Sequence, residues 1–175
     1  MAGRAPRPAT GAAAGLPPAA RFAIVAARFN EPISKKLVDG ALAGLAEQGV
    51  RADAADVHWV PGSFELPLAA RALARTGRYA GVVCVGVVIR GGTPHFEHVS
   101  REAATGIRQV GLETGLPVTF GLITALTEEQ AWERAGGSVG NRGHEAALAA
   151  VEMAGWLRRL GRRGRGHRRA GARRG

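Results

Sequence analysis

Nine consecutive residues, Gly81-Val82-Val83-Cys84-Val85-Gly86-Val87-Val88-Ile89, carry no polar side chain. A strand with one wet face would alternate polar and apolar positions, so this run must be covered on both sides. That is the condition of a central strand in a parallel sheet with helices packed on each face. Three further strand-like runs, Phe22 to Ala27, Asp56 to Val60 and Pro117 to Ile123, alternate with helical patterns. Asn30 reads as an N-cap with Pro32 in the first turn, Ile33, Leu37, Ala41 and Leu45 then repeat along one helix face, and Gly49 closes it. A second helix is expected over Glu65 to Thr76. Phe96, Val99, Ala103, Ile107 and Val110 mark a third, ended by Gly115. Thr127 with Glu128, Glu129 and Gln130 starts a short fourth helix as a capping box. After a break at Gly136-Gly137, a long Ala-rich helix is expected from about Asn141 to Leu160. No internal repeat interrupts this β–α alternation. It predicts an α/β three-layer sandwich, a four-stranded, mainly parallel sheet flanked by helices.

In such sheets ligands bind beyond the carboxyl ends of the strands. The residues there are Arg28-Phe29-Asn30, Pro61-Gly62-Ser63-Phe64-Glu65, Arg90 to His95, and Thr124 onwards. Arg90-Gly91-Gly92-Thr93-Pro94-His95 combines glycines, which let backbone N–H groups converge on an anion, with a helix start that adds unpaired donors. His95 places a group that titrates near neutrality beside them. An ordinary strand-to-helix turn with an exposed histidine has the same sequence. Phe29 either caps the core or stacks on a flat heterocycle. Ser63 and Glu65 either serve the following helix or offer a hydroxyl and a carboxylate to a polyol. Arg134 is either a solvated charge or a bidentate phosphate contact. Chemistry at four separate strand exits favours a small-molecule site.

Other classes are excluded by what the chain lacks. There is no G-x-x-x-x-G-K-[ST] loop, no G-x-G-x-x-G after a strand, no zinc-ligand spacing among the histidines and the lone cysteine, and no serine elbow. No metal and no cofactor is expected. Cys84 cannot form an intrachain disulfide, and a buried thiol suits a reducing cytoplasm. Residues 1–20, rich in Ala, Pro and Gly, read as a flexible leader rather than a signal peptide, and no apolar run is long enough to span a membrane. Nine arginines and no acid fall in residues 158–175, so this tail accounts for nearly all of the +10 formal charge. Its composition predicts an unstructured extension. Nonspecific capture of nucleic acid by the tail, within a shell or binding protein, is the competing functional class, although no aromatics are interleaved for base stacking.

Arg28-Phe29-Asn30, Trp59 to Pro67, Val88 to Phe96, Glu133-Arg134-Ala135-Gly136 and Gly140-Asn141-Arg142-Gly143 together resemble the lumazine synthase family, in order from about residue 21 to 157. The resemblance implies a flavodoxin-like fold. It also implies condensation of 5-amino-6-(D-ribitylamino)uracil with 3,4-dihydroxy-2-butanone 4-phosphate, the penultimate step of riboflavin biosynthesis. By position it assigns the ribitylaminouracil to Phe29, Ser63, Phe64, Glu65, Val87, Val88, Ile89 and Phe120. The butanone phosphate falls to Gly92, Thr93, Arg134 and Arg142, and His95 is the proton donor. Arg142 stands where the family often has lysine, Val87 where many members have threonine, and Pro94 where some do. Members form pentamers with active sites between neighbours, and some close into sixty-subunit shells. The short Gly136–Gly140 link looks like the shell-forming type. A riboflavin synthase that consumes two lumazines is the enzymatic alternative, and the phosphate set argues against it.

Overall fold

Both faces of Gly81–Ile89 are indeed covered. The computed structural model describes residues 16–171, with side chains as far as Gly161. Strands β1 (Phe22–Ala27), β2 (Ala55–Val60), β3 (Gly81–Ile89) and β4 (Val118–Ala125) form one sheet in the order β2-β1-β3-β4. All three pairings are parallel. This is the flavodoxin-like strand order. Helices α1 (Glu31–Glu47) and α5 (Arg142–Gly171) cover one face, and α2 (Leu66–Arg75) and α3 (His95–Thr114) cover the other.

The period-2 geometry of the strands sorts their side chains. Phe22, Ile24 and Ala26 join Val83, Val85, Val87 and Ile123 against Leu37, Ala41, Leu45, Ala147 and Val151. Ala23, Val25 and Ala27 join Val82, Cys84 and Leu122 against Leu66, Ala70, Ala103, Ile107 and Val110. Truncating a fully buried member such as Ile24 or Leu37 to alanine would cost roughly 2–5 kcal/mol. Close approach of the layers depends on glycine at two points. A Cβ on Gly106 of α3 would lie 2.7 Å from the Pro67 ring, and one on Gly143 of α5 would collide with the Leu37 carbonyl oxygen.

Several boundaries differ from the sequence expectation. β4 runs two residues past Ile123 because Thr124 and Ala125 pair with Val88 and Ile89. The second helix is split: Ser63–Glu65 is a 3₁₀ turn and α2 starts at Leu66. Asn30 does not cap α1 with its side chain. It adopts the left-handed conformation, φ 58°, and its carbonyl accepts from Ile33 and Ser34. Asparagine tolerates that region better than most residues, so it serves the tight exit from β1. Helix α4 (Glu128–Arg134) is capped by Thr127, which accepts from the Gln130 N–H at 3.3 Å. The Gln130 side chain returns to the Leu126 N–H, one residue earlier than a capping box requires.

The expected break at Gly136-Gly137 is a small antiparallel hairpin, β5 (Ala135–Gly137) and β6 (Gly140–Asn141). Of the run 158–175 expected to be unstructured, residues 158–171 continue α5, and residues 172–175 lie outside the described residues. Arginine is a good helix former, and extending a formed helix avoids the nucleation cost. Of the expected leader, residues 1–15 lie outside the described residues, and Leu16 and Ala20 pack against the α1–α5 face. Among the described residues no helix is long and apolar enough to cross a membrane.

Candidate active site

The backbone continues to pair beyond the strand ends, and this fixes the rim. Arg28 and Phe29 donate to the carbonyls of Val60 and Pro61 at 2.8 and 3.2 Å, and Arg90 donates to that of Ala125 at 2.9 Å. The exits of β1 and β2, and of β3 and β4, are therefore held in register as they leave the sheet. Between them lies a cavity of about 550 Å³. It is lined by Phe29, the turn Gly62-Ser63-Phe64-Glu65, the strand end Val87-Val88-Ile89, Gly91, Thr93, and the α3 residues His95, Phe96, His98 and Val99.

Phe29 and Phe64 remain 72% and 60% exposed, so neither ring caps the core. Both present apolar surface to the cavity, at the same end as Ser63 and Glu65. Ser63 is 5% exposed, and no side-chain capping bond forms at either the 3₁₀ turn or α2. The Glu65 carboxylate lies beside Gly62, where a Cβ would come within 3.1 Å of it. At the other end, Pro94 occupies the cap position of α3 without a side-chain capping bond. A Cβ on Gly91 or Gly92 would meet nothing within 4 Å, so nothing within the chain crowds either position. The open backbone of this turn and the N-terminus of a 20-residue helix give an anion a place to dock.

Nine expected site residues thus line one cavity: Phe29, Ser63, Phe64, Glu65, Val87, Val88, Ile89, Thr93 and His95. Gly92, Phe120, Arg134 and Arg142 do not line it. Phe120 is the third residue of β4 and pairs with Cys84, five residues short of the strand end. At about 3.3 Å per residue this is roughly 16 Å from the rim, so within one chain Phe120 does not close over the pocket. It is 45% exposed and lines a second recess with Thr119, Leu122, Arg142, Glu145, Ala146 and Ala149. Arg142 is ion-paired with Glu145 there, and the Thr119 hydroxyl is buried without a partner. Arg134 ends α4, with Nη1 donating to the Gln130 carbonyl at 2.9 Å.

The motif around Arg142 is partly structural. Asn141 Oδ1 accepts from the N–H groups of Gly143 and His144 at 2.9 and 3.1 Å, which caps α5. Its amide donates to the carbonyls of Lys36 and Ala135 at 2.9 and 3.0 Å, pinning that cap to α1 and β5. Arg142 follows directly and inherits this anchorage.

Sequence reasoning placed Phe96 and Val99 only on the packing face of the third helix and gave His98 no role, yet all three line the cavity. His98 and Val99 stand three and four residues after His95, and this spacing on α3 would have placed them on the same wall. A linked group of charges lies away from the rim, at the amino ends of the strands. Arg21 holds the Asp56 carboxyl below its ordinary range, helped by a 2.8 Å bond from Tyr79. Burial, with that bond, pushes the Tyr79 phenol up. Burial also pushes the Cys84 thiol up to about 12, so it is no nucleophile at neutral pH. Among the described residues no group of three or more His, Cys, Asp or Glu is placed to hold a metal ion.

A flavodoxin-like sheet with its cavity at the carboxyl ends of the strands defines an α/β protein of the class that binds small molecules at that rim. Within that class, the family model of 6,7-dimethyl-8-ribityllumazine synthase matches residues 19–158, and the chain belongs to that transferase family of riboflavin biosynthesis.

Proposed function

We propose that this protein condenses 5-amino-6-(D-ribitylamino)uracil with 3,4-dihydroxy-2-butanone 4-phosphate, releasing phosphate and water and forming 6,7-dimethyl-8-ribityllumazine. The observation that carries this reading is the convergence in one cavity of exposed aromatic rings, the Ser63–Glu65 turn and the Gly91-to-His95 helix start. Phe29 stacks on the pyrimidine and Phe64 flanks it, while Ser63 and Glu65 hold the ribityl arm. Backbone groups of Val87, Val88 and Ile89 meet the ring edge. Gly92 and Thr93 bind the phosphate at the α3 N-terminus, and His95 moves protons at the reacting carbonyl and amine.

Phe120, Arg134 and Arg142 complete the site from a neighbouring copy of the chain. The separate recess of Phe120 and Arg142 supports that division. The working form is a homopentamer, and the short Gly136–Gly140 link suits closure of pentamers into a shell. The reaction needs orientation and proton transfer but no metal or cofactor, and it takes place in the cytoplasm. Holding two dilute substrates together removes roughly 7–11 kcal/mol of barrier in favourable cases. A placed acid–base adds about 10²–10⁴-fold.

The test is to mix purified protein with both substrates and follow lumazine absorbance and fluorescence. Product appearing only with both substrates supports the assignment. No product, or turnover of lumazine alone, overturns it. Light scattering on the same sample separates a pentamer from a shell, and a monomer that turns over would refute the shared site.

A further inference from the structure

We infer that His98 is a specificity-determining residue of the same cavity, where it reads the hydroxyls of the polyol arm. This rests on the reaction proposed above. His98 lines the cavity with His95, yet it is exposed, and among the described residues its ring has no hydrogen-bond or ionic partner. An imidazole in that position has a donor and an acceptor nitrogen to offer a ligand.

Its place along α3 says which part of the ligand it meets. An α-helix rises about 1.5 Å per residue, so His98 sits roughly 4.5 Å further from the helix start than His95, on the same face. The anion end of the cavity is at that start, with Gly91 and Thr93. α3 also packs on the Ser63–Glu65 turn, and further along the helix Gly106 admits Pro67, two residues after that turn, at close range. His98 therefore stands on the α3 wall opposite the hydroxyl and carboxylate that hold the polyol. The titratable groups lining the cavity are Glu65, His95 and His98. Of the two histidines, the one nearer the phosphate end is placed for proton transfer and the other for hydroxyl recognition.

The experiment compares H98F and H98Q with wild type in steady-state kinetics, varying each substrate. It is repeated with 5-amino-6-(butylamino)uracil, which lacks the hydroxyls. H98F should raise KM for the ribitylaminouracil roughly threefold to tenfold, the range of one neutral hydrogen bond. KM for the butanone phosphate and kcat should stay within about twofold. H98Q, with an amide donor and acceptor, should recover part of the loss, and with the butyl compound the H98F penalty should vanish. A silent H98F, a penalty that persists with the butyl compound, or a fall in kcat with both KM values unchanged would overturn the assignment. Wild-type turnover in the same assay tests the reaction itself. Should it be absent, calorimetric binding of the ribitylaminouracil to wild type and H98F reads the same contrast without catalysis. Because His98 is exposed, neither substitution disturbs the core, and matched thermal melts check this.

Discussion

Replacing Asn141 by alanine tests how the second recess is anchored. The wild-type side chain makes four contacts: it accepts from Gly143 and His144 and donates to Lys36 and Ala135. Losing the cap costs about 1 kcal/mol, within a range of roughly 0.5–2. Each amide donation is worth about 1 kcal/mol, and less for the exposed one to Lys36. The sum for N141A is about 2–3 kcal/mol. In a chain of this length that corresponds to a fall in Tm of about 4–12 °C. N141D separates the two halves, since it keeps the acceptor at the helix start but sets a carboxylate against two carbonyls. It should therefore recover the cap and still melt below wild type. Circular dichroism melts at one fixed protein concentration are the assay, because the proposed assembly would make Tm concentration-dependent. N141A melting with wild type, or N141D matching wild type, would refute the division of labour drawn for this residue. With the fold retained, N141A should also raise KM for the butanone phosphate, because Arg142 loses its anchor.

H95A should slow turnover by about 10²–10⁴-fold without abolishing it, as read by single-turnover fluorescence. R134A should raise KM for the butanone phosphate and leave that for the ribitylaminouracil unchanged; a silent variant would remove Arg134 from the phosphate site. Asp56 is held below the ordinary carboxylate range by Arg21 and Tyr79, so its contribution to stability is complete above that range and lost as pH falls through the lowered folded-state value. Acid titration of wild type should show this loss, and D56N should be less stable at neutral pH and flatter across the acid limb. Cys84, buried and pushed up to about 12, should resist a thiol reagent at pH 8 in native protein and react fully after unfolding.

The sheet was readable because its strands obey simple periods. Gly81–Ile89 has no polar face to expose, and the matched bounds of β1 and β3 follow from that. The hairpin of β5 and β6 was not readable, since strands of three and two residues built from Ala, Gly and Asn carry no period. The end of β4 was misjudged because Thr124 resembles loop chemistry, whereas pairing with Val88 decides it. At the site, nine residues expected from local motifs line one cavity, whereas His98, one helical turn after His95, was passed over. Phe120 and Arg142 share neither strand end nor cavity with the others. A motif fixes the order of residues along the chain and says nothing about which copy faces which.

That separation bears on inheritance as well as catalysis. On the proposed reading, each chain brings one half-complement to the partner on its left and the other to the partner on its right. A variant crippled at His95 and a variant crippled at Arg142 would then each be deficient alone, yet co-assembled rings would contain junctions where both contributing halves are wild type. Two defective alleles of such a gene would rescue one another, whereas two defects in the same half would not.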